Sequence, residues 1–125
     1  MVVARPLPEV VEVAADPRRL PDWAAGLAGA EVTPSEQPGV WVTDSPMGRA
    51  LVRFTGGDDP GVLDHEVTPP DGSTTLNRFR ASSCAGGTEL VFLVEPAAGA
   101  SADDHARDVA MVRADLERLR ELLEG

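Results

Sequence analysis

The sequence predicts an α+β fold in which an antiparallel sheet of hairpins packs against one long C-terminal helix. Three observations lead to this prediction. Between about residues 30 and 96, short β-rich segments alternate with turn-forming residues. After residue 101 the apolar residues change to a helical spacing. The length of 125 residues suits one compact domain, and no linker divides it.

The first thirty residues are predicted to form a brief edge strand and two short helices. The strand is placed at Val2–Arg5. Pro8 suits the first turn of a helix, although Glu9–Val13 could form a strand on propensity alone. Asp16, followed by a proline, is placed to cap a second helix that continues through Trp23.

Six strands follow, separated by turns rich in Pro, Gly and Asp. Because each connection is at most six residues long, consecutive strands must pair antiparallel. The predicted strands are Ala30–Glu36, Val40–Asp44, Arg49–Thr55, Val62–Thr68, Thr74–Ser83 and Glu89–Glu95.

The C-terminal segment predicts a helix of about 22 residues. Ser101 and Asp104 have the spacing of a capping box at its start. Apolar residues then recur at steps of four and three, which places them on one face of the helix. This stripe consists of His105, Val109, Val112, Leu116, Leu119 and Leu123. A helix this one-sided must pack on an apolar surface, and the predicted sheet offers one.

Charge and composition exclude several classes of function. With 11 basic and 21 acidic residues the formal net charge is −10, which argues against a nucleic acid as partner. No apolar run approaches the ~18 residues of a membrane span, and the N-terminus lacks the pattern of a secretory signal. Cys84 is the one cysteine, so no internal disulfide can form. We therefore expect a cytoplasmic protein.

Missing residue types and motifs limit the chemistry further. The chain has no lysine and no tyrosine, which excludes a lysine Schiff base and a tyrosine acid. Motifs of phosphate-binding loops, serine nucleophile elbows and zinc proteases do not occur. His65 and His105 lie forty positions apart without a CxxC pair. We predict neither a metal site nor a cofactor.

Residues 8–23, PEVVEVAADPRRLPDW, resemble the P-x-x-V…D-P-x-x-x-P-x-W opening of the SRPBCC superfamily. That superfamily includes START-like lipid-transfer domains, polyketide cyclase/dehydrase-like proteins and relatives of an Hsp90 co-chaperone activator. Further segments are placed as in its small bacterial members: SPMG at 45–48, GVLDHEV at 61–67, TELVF at 88–92 and DLERL at 115–119.

The resemblance implies one helix-grip (START-like) domain over residues 1–125. In that fold a curved antiparallel sheet of six to seven strands wraps around the long C-terminal helix, with two short helices after the first strand. An apolar cavity is then expected between sheet and helix, because one helix does not fill a curved sheet. The fold alone does not give the function.

His65 is the first candidate for a functional side chain. Alternation along its strand puts Leu63, His65 and Val67 on one face. If that face is the inner one, His65 could act as a general acid or base or bind a ligand. The simpler interpretation is a satisfied, half-buried histidine. Asp64 faces the opposite side, so it cannot form a dyad with His65 and is expected to pair with an arginine across the sheet.

Three arginines in mid-strand, Arg53, Arg78 and Arg80, are the second group of candidates. One inward arginine, Arg53 or Arg78, could bind a carboxylate or enolate oxygen of a ligand. The alternative is a ladder of cross-strand ion pairs with carboxylates such as Asp64 and Glu66. Trp23 is expected to fill the junction between the short helices and the sheet, with a place in the pocket wall as the alternative.

Other residues are interpreted as structural. We expect His105 to be exposed in the first turn of the long helix and Cys84 to be half-buried. Trp41 is either a core residue or an exposed edge residue. Met111 and Leu122 lie off the main stripe, where they would flank the core or contact a second copy of the chain.

Three functional hypotheses follow. The first is a module that binds a small apolar ligand beneath the C-terminal helix, as a monomer or homodimer. Its predicted ligand-binding residues are Leu63, His65, Val67, Arg53, Arg78, Trp23, Val112 and Leu116. The second is a cyclase/dehydrase-like enzyme without a metal, with His65 moving protons. The third is a co-chaperone-like interaction domain with a vestigial cavity.

Overall fold

The computed structural model describes residues 1–45, 48–96 and 99–125. Within these ranges the chain forms three α-helices: α1 (Leu7–Ala14), α2 (Leu20–Trp23) and α3 (Ala102–Glu124). It also forms seven strands: β1 (Val2–Val3), β2 (Glu31–Pro34), β3 (Val40–Ser45), β4 (Gly48–Phe54), β5 (His65–Thr68), β6 (Thr75–Cys84) and β7 (Gly87–Leu93). Pro46 and Met47 of the SPMG segment lie outside the described residues.

The strands form one sheet in the order β1-β7-β6-β5-β4-β3-β2, and every neighbouring pair is antiparallel. Consecutive strands from β2 to β7 pair with each other, as the short connections predict, and β1 lies at the edge beside β7. The predicted α+β fold, with an antiparallel sheet and a long C-terminal helix, is confirmed. This arrangement fits a helix-grip fold.

Local hydrogen bonds explain how the N-terminal segment folds. The Asp16 carboxylate accepts the Arg18 amide at 3.0 Å, and a 3-10 turn at Pro17–Arg19 then leads directly into α2. Val10 is buried on the inner side of α1, so the alternative of a strand over Glu9–Val13 is wrong. The edge strand is 2 residues long, shorter than predicted.

Strand β5 begins later than predicted, at His65 rather than at position 62. Before it, the Leu63 amide donates to the Phe79 carbonyl at 2.8 Å, and the Asp64 carboxylate accepts the Phe79 amide at 2.9 Å. A carboxylate oxygen of Asp64 thus takes the place of a backbone carbonyl in the hydrogen bonding with β6. Three consecutive residues, Leu63, Asp64 and His65, are all buried as a result, so the expected alternation fails here.

Arginine–carboxylate pairs join neighbouring strands. Asp64 accepts two hydrogen bonds from the Arg80 guanidinium, at 2.9 Å and 2.8 Å, as the sequence predicts for this carboxylate. Arg53 pairs with Glu66 at 2.9 Å on the neighbouring strand. The ion-pair interpretation is therefore confirmed for Arg53 and Arg80, whose side chains are 53% exposed.

The capping box predicted for α3 is present. The Asp104 amide donates to Ser101 Oγ at 3.1 Å, and the Ser101 amide donates to Asp104 Oδ2 at 3.3 Å. Every residue of the predicted stripe is buried or half-buried, and burial is deepest at Leu116 and Leu119 in the second half of the helix. In the first half Met111 is 52% exposed.

Two side chains of α3 bind the backbone just after α2. Arg118 Nε donates to the Trp23 carbonyl at 3.1 Å, and Asp115 accepts the Ala25 amide at 3.1 Å. Arg118 also bonds to Asp115, so both groups are held together. These bonds satisfy backbone groups at the end of a short helix and fix its position against α3.

The buried core lies between the inner face of the sheet, α1, α2 and the second half of α3. Its largest members come from all of these elements: Val3, Val10, Leu20, Trp23, Val52, Leu63, Phe79, Leu90, Leu116 and Leu119. Trp23 packs on Phe79 with ring centroids 6.1 Å apart, which joins α2 to the middle of the sheet. None of the helices in the described ranges combines the length and the apolar character that crossing a membrane requires.

Two interpretations of single residues are wrong. His105 is half-buried rather than exposed, because its Nε2 bonds to the Val94 carbonyl at 2.9 Å. Cys84 is exposed rather than half-buried, because it closes the hairpin between β6 and β7 at the surface. Trp41 is half-buried, with the Arg18 guanidinium 5.0 Å from its ring centroid.

The packing of α3 predicts a contrast between two leucines of the same helix. Leu119 is fully buried, so Leu119→Ala is expected to lower the free energy of unfolding by about 2–5 kcal/mol. Leu122 is 39% exposed, so Leu122→Ala, the matched control, is expected to cost less than about 1 kcal/mol. Urea unfolding followed by circular dichroism measures both. If both substitutions lowered the free energy of unfolding equally, the described packing of α3 would be wrong.

Candidate ligand-binding cavity

A cavity of about 920 Å³ lies between the inner face of the sheet, α2 and the middle of α3. Its walls are mostly apolar and come from separate elements: Leu20 and Trp23 of α2, Val52 of β4, Val67 of β5, Phe92 of β7, and Met111, Val112 and Leu116 of α3. The expected cavity between sheet and helix is therefore present.

The cavity arises from the way in which α3 is anchored. Leu119 fills the core below the cavity, while the α3 residues that border the cavity include Asp108 and Val112, whose side chains are short. On the opposite side the sheet borders the cavity with Val52, His65, Val67, Asn77 and Phe92. The space between helix and sheet is not closed by protein atoms.

Six of the eight predicted ligand-binding residues line the cavity. These are Trp23, His65, Val67, Arg78, Val112 and Leu116. Trp23 occupies both of its predicted places. It lines the cavity, and it also fills the helix–sheet junction, where it is 4% exposed and packs on Phe79.

Leu63 and Arg53 do not line the cavity, which corrects two predictions. Leu63 precedes β5 and is only 1% exposed, within the core. Arg53 lies on the outer face of the sheet, where it pairs with Glu66. Arg78 borders the cavity, but its side chain is exposed and its charge helps to lower the pKa of Asp64.

His65 forms the polar wall of the cavity and is 8% exposed. Its ring lies between two phenylalanines, with centroid distances of 5.3 Å to Phe54 and 6.2 Å to Phe92. Nδ1 is 3.0 Å from the Leu63 carbonyl, and Nε2 is 3.3 Å from the side-chain nitrogen of Asn77. The interpretation of a hydrogen-bonded histidine describes this environment, but His65 is buried rather than half-buried.

These contacts determine the protonation of the His65 ring. A carbonyl oxygen can only accept a hydrogen bond. Nδ1 of His65 therefore carries the proton and donates a hydrogen bond to the Leu63 carbonyl. Nε2 is then an acceptor and receives the Asn77 amide hydrogen. Burial lowers the pKa of His65 below its ordinary value of 6.5, and the Leu63 carbonyl and the Asp64 charge oppose this effect. The imidazole is neutral at pH 7.

Several polar residues of the cavity were not predicted from the sequence. Asn77 lies on β6, where it faces His65 across the strand pair. Glu95, just after β7, and Asp108 and Asp115, on α3, also border the cavity. One signal in the sequence could have indicated Asn77. It is the single asparagine of the chain, and it stands inside a predicted strand, where asparagine is uncommon.

The described ranges contain no group of three or more His, Cys, Asp or Glu side chains placed to hold a metal ion. Asp64 and His65, although adjacent, bond to different partners, Arg80 and Asn77, as the prediction against a dyad requires.

A solved structure has a similar fold. The chain matches the crystal structure of protein CV1439 from Chromobacterium violaceum with a TM-score of 0.66 and 14% sequence identity, over 100% of this chain and 94% of that one. At this identity the similarity concerns the fold alone. No protein-family model matches the chain, and no curated protein matches it.

The protonation of His65 can be measured directly. Nitrogen-15 NMR of the imidazole is expected to show a proton on Nδ1 at pH 7 and a titration below pH 6.5, because burial lowers the pKa of His65. Because the folded protein binds this proton less readily than the unfolded chain, the contribution of His65 to stability declines as the pH falls below 6.5. A proton on Nε2, or a titration above 6.5, would contradict the assignment.

Asp64 predicts a second pH dependence. Its hydrogen bonds from Arg80, and then from the Phe79 amide, lower the pKa of Asp64 below its ordinary value of 3.8 against the opposing effect of burial. The stability that Asp64 contributes is therefore present above pH 3.8 and lost as the pH falls through the folded pKa. Asp64→Asn should be destabilising at pH 7, and the difference from the unmodified protein should shrink below pH 3.8.

The control for Asp64→Asn is Glu66→Gln, at a carboxylate that also pairs with an arginine but bonds to no backbone amide of the described residues. This variant is expected to lose about 0–1 kcal/mol, as is usual for a solvent-exposed ion pair. Urea unfolding at several pH values measures both variants. A difference for Asp64→Asn that stays constant down to pH 2.5 would show that the carboxylate charge is not the stabilising group.

Proposed function

We propose that the protein binds a small apolar molecule in the cavity between the sheet and α3. The observation that carries this proposal is the cavity itself, with a volume of about 920 Å³ and walls that are mostly apolar. Ligand pockets commonly have volumes of roughly 300–1,000 Å³ with few polar groups, and this cavity lies within that range.

The stiffness of the walls supports binding. Trp23 is held from two sides, since its ring packs on Phe79 and its carbonyl accepts Arg118 Nε. His65 is held by bonds at both ring nitrogens and by two phenylalanine rings. Walls that are fixed before a ligand arrives lose little conformational entropy when it binds.

The state of His65 favours binding over the cyclase/dehydrase-like alternative. A general acid at pH 7 must carry a transferable proton, whereas the proton of His65 is bonded to the Leu63 carbonyl. Its other nitrogen accepts a hydrogen bond from Asn77, so a substrate proton would have to displace that amide. Arg53, one of two arginines considered for an enolate, faces away from the cavity.

A protein-interaction module is the third hypothesis, and one observation favours it. The outer face of the sheet carries exposed apolar side chains, of which Val91 and Leu93 are both more than half exposed. That hypothesis also expects side chains to fill the space between sheet and helix. The cavity volume of about 920 Å³ argues against this. Binding of a small molecule accounts for both the volume and the apolar walls.

Membership of the SRPBCC superfamily is part of the proposal. It is supported by the opening segment at residues 8–23, by the seven-stranded antiparallel sheet and by the 23-residue helix that faces it. Carriers of apolar molecules in such folds hold them between sheet and helix, which is where this cavity lies.

The test uses a neutral fluorescent probe, N-phenyl-1-naphthylamine. We expect it to bind with micromolar affinity and to gain fluorescence as it leaves water. Val112→Trp places a large ring in the cavity wall and should abolish this binding. Arg113→Trp is the matched control, because the adjacent residue is exposed and lies outside the cavity wall.

Two further measurements complete the test. Circular dichroism and urea unfolding establish that both tryptophan variants are folded. Native mass spectrometry of the protein purified from its own host shows whether a small molecule is retained. Failure of the probe to bind with micromolar affinity, together with the absence of a retained molecule, overturns the proposal.

A further inference from the structure

We propose that the ligand of this cavity is an apolar molecule with a hydrogen-bond-donating, positively charged head, such as a protonated amine, and not a carboxylate. The inference rests on the proposed function and deepens it by naming the chemistry of the head group. It follows from the charged side chains that border the cavity, which among the described residues are three carboxylates and one arginine.

Two exposed carboxylates that border the cavity have no partner of opposite charge in the part of the chain that the structure describes. Glu95 and Asp108 border the cavity from the end of β7 and from α3, and neither forms an ion pair or a side-chain hydrogen bond within the described ranges. Asp115 also borders the cavity, but its charge is balanced by Arg118. Two negative charges beside an apolar space attract a cation and repel an anion.

Arg78 is the opposing charge at this border and does not balance the two carboxylates. It is a single positive charge, and it is exposed as Glu95 and Asp108 are. Its charge also acts on Asp64, outside the cavity, where it contributes to the lowered pKa of that carboxyl. An anionic head at the cavity would therefore meet more negative than positive charge, in a protein whose net charge is −10.

The inner polar group of the cavity is the uncharged pair of His65 and Asn77. Because Nδ1 of His65 must donate to Leu63, Nε2 must accept, and the Asn77 amide nitrogen is the donor. The amide oxygen of Asn77 is thereby turned away from the imidazole and has no protein donor within the described ranges. Asn77 borders the cavity, so it offers a ligand its amide oxygen as an acceptor and its second amide hydrogen as a donor.

Trp23 is the donor that has to be considered against this inference. Its indole Nε1 has no hydrogen-bond partner within the described ranges. However, this nitrogen is buried from solvent, so a ligand atom in the cavity does not reach it without moving the ring. Trp23 therefore contributes an apolar surface to the cavity rather than a donor.

Three compounds with the same alkyl chain test the head group: decylamine, decanol and decanoate, each below its critical micelle concentration. At pH 7 the amine is protonated and the acid is ionised, as for the corresponding side chains. Each compound competes with N-phenyl-1-naphthylamine. We expect decylamine to bind at least tenfold more tightly than decanoate, with decanol between them, and the difference to narrow in high salt.

Charge-removing variants connect this preference to the cavity. Asp108→Asn and Glu95→Gln should each reduce the ratio of decylamine to decanoate affinity about two- to tenfold, as expected for partly screened charges. The double variant should bring the ratio close to one. Glu117→Gln is the matched control, because Glu117 is exposed on α3 and does not border the cavity. It should leave the ratio unchanged.

The outcomes separate this inference from the proposed function. If the fluorescent probe binds but decanoate binds as tightly as decylamine, the head-group inference is overturned and the cavity remains a binding site. An equal loss of preference in Glu117→Gln also overturns it, because the effect would then come from net charge alone. If neither the probe nor any decyl compound binds and the purified protein retains no small molecule, both proposals are overturned.

Discussion

The rest of the structure depends on how the second half of α3 is attached. Leu116 and Leu119 are buried against the short helices and β1, and the Asp115–Arg118 pair bonds to backbone groups after α2. These contacts hold one end of the helix close to the sheet. The first half carries an exposed Met111 and spans an open space instead of a core. One attachment therefore accounts for a packed core at one end and a cavity at the other.

Those elements whose signals are local were predictable from the sequence. A capping box and a stripe of apolar residues predict α3 closely, and Asp16 does act as the cap that leads into α2. Short connections predict the antiparallel order of the sheet, since parallel neighbours need longer ones. In each case the deciding interaction joins residues that are near in sequence.

The errors come from interactions between distant residues. Asp64 replaces a backbone group in the pairing with β6, and this shifts the start of β5 and buries three consecutive residues. A pattern with period two cannot show such a substitution. The prediction that Leu63 lines the cavity is wrong for this reason, because Leu63 lies in the core. Arg53, a candidate for ligand binding, faces outward. Asn77, Glu95 and Asp108 meet at the cavity only through the pairing of strands and the path of the helix.

The pairing of β1 with β7 and the packing of α3 also affect how the chain folds during synthesis. On the ribosome the hairpins from β2 to β7 emerge before α3, with an apolar inner face that α1 and α2 can only partly cover. The residues that complete the core, Leu116 and Leu119, follow the whole sheet in the sequence and are made after it. Until they leave the exit tunnel, the nascent sheet presents an uncovered surface to chaperones and to other chains.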